Sequence, residues 1–226
     1  GFGHILAEGS FAINRLGDSS RDFQLEIKGV PIEMTDERVP KSFALGLATS
    51  TRGACHMRSR PSMDVLGLPR ELLKKIYGGP VSNRLTSYSG KGRMVRWHEL
   101  LHAVTDALGV CRFLSAFSSP HALQYRQFAR LIKLATGIEM SSKQLRASAE
   151  RIYTLERMLL VKDGLSRKDD TLPKRYFEEP IPEGPAKGCV IERKSFNRML
   201  DEYYRLHGWN REGIPTTRTL KRLGIK

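Results

Sequence analysis

A mainly α-helical fold follows from three features of this 226-residue chain. Apolar residues recur at helical spacing in several segments, most clearly Trp97, Leu100, Leu101, Val104 and Leu108. Start and stop residues bracket such segments, among them Ser141, Gly109 and Gly208. Alternation of apolar with polar residues, the mark of a strand, is confined to Phe23, Leu25 and Ile27.

Taken in order, a first short helix is expected from Ile5 to Leu16, ended by Gly17-Asp18-Ser19-Ser20. A short extended segment follows at Phe23 to Ile27, and Gly29-Val30-Pro31 turns the chain. Ser42 to Thr51 is rich in small apolar residues, which suits a tightly packed buried helix. Loop sequence runs from Gly53 to Pro61, then a helix from Pro69 to Tyr77 stops at Gly78-Gly79-Pro80. The amphipathic pattern predicts a helix over Val95–Leu108 with Gly109 at its end. Further helices are expected over Pro120–Thr136 and Ser141–Val161. In the latter, Leu145, Ala149, Ile152, Leu155 and Leu159 are expected to form the apolar stripe. Gly164 to Pro185 holds four prolines and reads as irregular. Lys194–His207 is helical with Phe196, Met199, Leu200 and Tyr203 inward. Thr216 or Thr217 caps a last helix ending at Gly224.

Composition narrows the function classes. No apolar run approaches the roughly 20 residues that span a bilayer, so no membrane association is expected. Three scattered cysteines, Cys55, Cys111 and Cys189, argue against a disulfide framework and for a reducing, cytoplasmic setting. The first residues have no basic stretch followed by an apolar core, so no signal peptide is read there. The net charge of +14 attracts polyanions. The basic residues are spread along the chain with no compact block, which favours solvated charge over a nucleic-acid surface. A basic helical nucleic-acid-binding module is the alternative that charge alone supports.

Three motifs carry candidate chemistry, and a fourth is a structural signature. His98-Glu99-Leu100-Leu101-His102 has the H-E-x-x-H spacing that places two imidazoles on one helix face with a carboxylate base between. A zinc hydrolase needs a third ligand, and the longer signature fails at Thr105 and Leu108. The two histidines are therefore expected on the polar face of their helix, opposite Trp97, Leu101 and Val104. Asp106-x-x-Gly109-x-Cys111 sets a carboxylate one turn before a helix end, then a glycine bend, then a thiol. That lets one peptide reach two neighbouring groups, although a lone cysteine is more often a small buried hydrophobe. Arg52-Gly53-Ala54-Cys55-His56-Met57-Arg58 sets two guanidinium groups around a small-residue turn, suited to phosphate, with an imidazole that can carry a proton. The bland reading is a basic loop with a hydrogen-bonded histidine. Arg167-Lys168-Asp169-Asp170-Thr171-Leu172-Pro173 suggests a loop pinned by ion pairs and proline.

The order of these segments resembles the tungsten-dependent aldehyde:ferredoxin oxidoreductase family over nearly the whole chain. The segments are Ile27 to Val30, Ala44 to His56, Asp106 to Phe113, Glu150 to Arg157, Ser166 to Arg175, and Tyr203 to Thr216. The resemblance implies two mainly helical C-terminal domains, residues 1–30 ending one and 31–226 forming the other, with an N-terminal β domain missing. It implies a tungsten or molybdenum bis-pyranopterin and a [4Fe–4S] cluster passing electrons from an aldehyde to ferredoxin. Cys111 then matches the last cluster ligand and Asp106 the pterin-contacting carboxylate, flanked by Val110 and Arg112. His56 matches the histidine near the metal, proposed as a proton donor or substrate orienter, and Arg52 and Arg58 match pterin or phosphate contacts.

The sequence departs from the family in its cysteines. The family's C-x-x-C-x-x-x-C motif is missing, and three dispersed thiols cannot hold a cubane that needs four ligands. The upstream glutamate and the first pterin-binding D-x-x-G-x-D of the family are missing too. The chain therefore reads as a fragment or split subunit, inactive alone, whose partners are the missing domains or a partner subunit, ferredoxin, and a second copy in a homodimer.

Overall fold

A computed structural model describes residues 1–9, 23–33, 35–117 and 119–225. Among them are nine α-helices: α1 Phe2–Ala7, α2 Lys41–Thr49, α3 Arg70–Tyr77, α4 Lys91–Ala107, α5 Tyr125–Thr136, α6 Ser142–Lys162, α7 Lys174–Glu178, α8 Arg193–His207 and α9 Thr217–Leu223. One two-stranded antiparallel hairpin, β1 Glu26–Ile27 and β2 Val30–Pro31, pairs Ile27 with Val30. The mainly α expectation holds. No described helix is long and apolar enough to cross a membrane.

Helix α4 is the axis of the fold and packs against α2, α6 and α8. Every residue from Trp97 to Thr105 is buried, so the helix is covered on all sides. Close approach requires small residues at the crossings. A side chain on Gly92 would meet the Tyr203 backbone nitrogen of α8 at 2.8 Å. Ala44, Gly46 and Ala48 give α2 the same compactness. Helix α8 turns Phe196, Met199, Leu200 and Tyr203 inward as the periodicity predicts, and Gly208 ends it at φ 73°. Ser141 caps α6 by accepting from the Gln144 amide, and Thr216 caps α9 by accepting from Thr219.

Several expectations need correction. The first helix covers only Phe2–Ala7, and residues 10–22 lie outside the described residues. Helix α5 starts at Tyr125, not Pro120, because Leu123 bridges back to Ser115 and Gln124 forms a capping box with Gln127. In α6 the inward face holds Leu145, Ala149, Glu150, Tyr153, Thr154 and Arg157, while Leu155 and Leu159 are exposed. Charged residues displace leucines from the interior because ionic partners wait for them there.

Asp170 is the chief of those partners. Its carboxylate is buried and meets Lys28 Nζ at 2.8 Å and Arg157 at 2.8 Å, and it accepts from the Tyr204 hydroxyl. Lys28, at φ 52°, also donates to the Ala48 and Ser50 carbonyls at 2.6 and 3.0 Å. Arg157 Nε donates to the Gly213 carbonyl at 2.8 Å. Any side chain on Gly213 would collide with the Arg157 guanidinium at 2.3 Å. The hairpin, α2, α6, α8 and the 208–216 turn thus meet at one carboxylate. The loop expected to be pinned by ion pairs is pinned from beneath, through Asp170.

Removing one member of a buried ion network leaves the others charged and unpaired. Asp170→Asn is expected to destabilise the chain by about 3–5 kcal/mol in urea unfolding, whereas Thr171→Ala is expected to cost far less. Burial works to raise the Asp170 pKa, but Lys28 and Arg157 outweigh it and hold the carboxyl below its ordinary value. Its stabilisation is therefore fully present above the unfolded carboxylate range and is lost as pH falls through the lower folded value.

Candidate functional site

The C-terminal end of α4 builds the site. Asp106 sits in its last turn, where Leu108 N–H donates to the Val104 carbonyl and Val110 N–H donates to the Thr105 carbonyl at 3.0 Å. Gly109 at φ 64° reverses the chain, as its position predicts. Cys111 then stands in extended backbone before a 3-10 turn, Arg112–Leu114. This turn folds Arg112 back onto the helix it has just left. Its guanidinium donates to Asp106 Oδ1 at 2.6 Å and approaches His102 Nδ1 at 3.3 Å.

Arg58 reaches the same carboxylate from the loop after α2. Its Nη1 donates to Asp106 Oδ2 at 2.7 Å and its Nη2 to Glu156 Oε1 of α6 at 2.5 Å. Thr51 Oγ1 donates to Glu156 Oε2 at 2.7 Å. Burial works against the charge on Arg58, which is 6% exposed, but Glu156 and Asp106 outweigh it and raise its pKa. Asp106 is thus clamped between two guanidinium groups, with its side chain still 35% exposed.

Of the sequence-predicted residues, the structure brings together Arg58, Asp106 and Arg112. Val110 and Cys111 adjoin them through the turn, Val110 half-buried and the Cys111 thiol exposed and free. The small-buried-hydrophobe reading of Cys111 does not hold. Arg52 is exposed, and its backbone N–H donates to Ser50 Oγ at 3.2 Å, away from the Asp106 carboxylate. His56 pairs elsewhere: its Nδ1 meets Glu33 at the mouth of a cleft of about 30 Å³ walled by Phe43, Leu47 and Ala54. Sequence reasoning missed Glu156, Thr51 and Glu33. Glu156 lay within the Glu150–Arg157 segment, where the adjacency of a carboxylate and an arginine gave no hint that they face different partners.

The H-E-x-x-H segment is buried, not on a polar face. His98 Nε2 meets the Tyr77 hydroxyl at 2.9 Å. Glu99 turns away to accept from Tyr203 at 2.9 Å and Thr49 at 3.3 Å, and lies 3.3 Å from His207 Nε2. Burial lowers the His98 pKa to about 3 and raises that of Glu99 to about 8. His102 and His207 are likewise held neutral by burial. The three motif side chains therefore point into different polar contacts of the core. Among the described residues no group of three or more His, Cys, Asp and Glu is arranged to hold a metal. His98→Gln and His102→Gln are therefore core substitutions, not the surface changes that a polar-face placement implies.

The residues fit the implied cofactors in part. The exposed Cys111 thiol can supply one soft ligand to an iron site, and Cys55 and Cys189 do not join it in a ligand group. The Asp106 carboxylate, oriented by Arg58 and Arg112 yet partly open, retains lone pairs for a ring N–H donor.

Residues 1–225 match the family model described as aldehyde ferredoxin oxidoreductase, domains 2 and 3. The chain is 35% identical over 230 residues to a tungsten-containing aldehyde ferredoxin oxidoreductase of Pyrococcus horikoshii, an alignment covering all of this chain and 34% of the relative. A protein of the same name from Pyrococcus furiosus is 34% identical over 229 residues, with the same coverage. An aliphatic sulfonate oxidoreductase, WOR-like subunit, of Pyrococcus furiosus is 32% identical over 56% of this chain and 20% of its own length. Among solved structures, the active-site complex of benzoyl coenzyme A reductase with 1,5-dienoyl-CoA superposes with a TM-score of 0.68 at 25% identity, covering all of this chain and 36% of that one. The chain spans about a third of the length of the curated relatives it matches.

Glu99 generates a pH test. Its folded pKa near 8 lies above the unfolded carboxylate value, so folding takes up a proton between them. Its contribution to stability is complete below the unfolded value and is lost as pH rises through about 8. The neutral histidines act only below their ordinary value near 6.5. Stability is thus expected to fall between about pH 7 and 8 in the wild type and to stay level there in Glu99→Gln, measured by urea unfolding at each pH.

Proposed function

The chain belongs to the aldehyde ferredoxin oxidoreductase family, matched over its domains 2 and 3, and on that premise we propose that it forms the helical part of a tungsten or molybdenum pterin enzyme. The reaction proposed is two-electron oxidation of an aldehyde to a carboxylic acid in the cytoplasm, with ferredoxin as acceptor. The observation that carries the proposal is the turn after α4, where an exposed thiol follows a carboxylate held by two arginines.

Cys111 would hold one iron of a [4Fe–4S] cluster, and Asp106 would accept from a pterin N–H. Val110 and Arg112 line the same turn, and Arg52 and Arg58 supply positive charge for the pterin or its phosphate. When bound, the metal pterin supplies the two-electron redox chemistry and the cluster the outlet to ferredoxin. His56 orients the substrate or moves a proton at Nε2, while its Nδ1 is held by Glu33. Residues 1–30 would close one helical domain and 31–226 form the next. The remaining cluster thiolates and metal-cradling β domain would come from further sequence or a partner subunit, with a homodimer as the assembled form. Nucleic acid has no role in this reading.

Three outcomes test it. Purified anaerobically, this chain alone is expected to hold no stable cubane or tungsten and to oxidise no aldehyde; about four irons per chain would overturn that expectation. In the assembled enzyme, Cys111→Ser is expected to damage the cluster and block transfer to ferredoxin with the pterin still bound. His56→Ala is expected to leave both cofactors in place and lower kcat by roughly 10²–10⁴-fold. Loss of the pterin in His56→Ala at unchanged turnover per bound metal would make the histidine structural.

A further inference from the structure

A second concave surface lies around the C-terminal end of α8, the 208–216 turn and α9. It encloses about 1020 Å³ and is lined by five arginines against two acids, Asp201 and Glu212. Two of the arginines are already engaged. Arg167 pairs with Asp201 at 2.6 Å and Arg222 with Glu150 at 2.6 Å. Arg205, Arg211 and Arg218 are exposed, and none of their side chains has an ion pair among the described residues. One unpaired carboxylate, that of Glu212, faces these three unpaired guanidinium groups.

The lining holds a second, independent feature. Trp209 lines the groove and is 5% exposed, and its indole Nε1–H is buried with no acceptor among the described residues. A buried donor without an acceptor costs free energy, which an incoming oxygen would recover. Trp209 is held rigidly, stacked on Tyr153 and lying 5.3 Å from the Arg157 guanidinium. Anchoring by Arg157 ties the groove floor to the buried Asp170 network.

We propose that this groove binds a small ligand through an oligophosphate group, with Arg205, Arg211 and Arg218 on the phosphate oxygens and Trp209 Nε1 donating to one of them. Guanidinium forks match phosphate oxygens in pairs, which an ammonium cannot do. The groove is open and has room for a small charged ligand. The near burial of Trp209 leaves no open ring face for stacking a base, so recognition falls on the phosphates. The proposal is independent of the oxidoreductase reading, and the failure of either leaves the other standing.

The test uses this chain, inorganic pyrophosphate and ADP, at low salt. The chain has two tryptophans, so the two indole N–H signals in a ¹⁵N–¹H spectrum are assignable with Trp209→Phe. Both probes are expected to bind saturably at one site and to move the Trp209 signal, with that of Trp97 unchanged. Tighter binding of ADP would identify a nucleotide-like source, and equal binding a free oligophosphate. The R205Q/R211Q/R218Q variant is expected to weaken binding by about tenfold or more, whereas the control R126Q/R130Q is expected to bind as the wild type does. Three results would overturn the proposal: no saturable binding of either probe, equal loss in the control, or binding of polyglutamate in place of pyrophosphate. The last would make the groove a face for an acidic protein.

Discussion

One buried carboxylate sets the geometry of this chain. Asp170 neutralises Lys28 from the hairpin and Arg157 from α6, and it receives the Tyr204 hydroxyl from α8. A buried ion pair adds little net stability, because desolvation consumes most of the attraction. Its effect is on arrangement: one carboxylate satisfies Lys28, Arg157 and Tyr204 together, which ties the hairpin, α6 and α8 to a common point. The absence of a side chain on Gly213 lets Arg157 into its place, and Arg157 in turn supports Trp209. The groove at α8 and α9, which Trp209 lines, is thereby built on this ionic contact.

The second organising element is α4, whose polar residues are spent inside the fold. His98, Glu99 and His102 lie within a five-residue stretch of helix buried on every side, and each finds a separate partner. Burial keeps the imidazoles neutral and the carboxyl protonated, so this spine carries hydrogen bonds and little charge. Charge flanks that middle: Lys91 and Arg96 pair with Asp64 and Glu150 on one side, and on the other Asp106 meets two arginines. The helix thus passes from a basic, ion-paired start through a neutral polar middle to an acidic tip.

The excess of positive charge divides along similar lines. Arg58, Arg96, Arg157 and Lys91 are committed to internal carboxylates. The charge left over is concentrated in places, and the α8–α9 groove gathers three arginines with one unpaired acid. Composition alone cannot make that distinction, because pairing depends on which acid the fold delivers to which base.

By itself the sequence determined what depends on neighbours along the chain. Helical periods, the Ser141 and Thr216 caps, the Gly78, Gly109 and Gly208 stops, and the Asp106–Cys111 turn are all local, and the structure has each of them. The family was legible for a related reason: its motifs are runs of adjacent residues in fixed order. Only the tertiary structure decided which of those residues meet. It placed Glu156 against both Arg58 and Thr51 across about a hundred residues of chain. It turned Arg157 inward and Leu159 outward, reversing the stripe that apolarity alone draws on α6. It also buried His98 and His102, which periodicity puts on a polar face. A polar side chain enters a core only when a partner distant in sequence satisfies it, and pairing at that distance leaves no trace in local pattern.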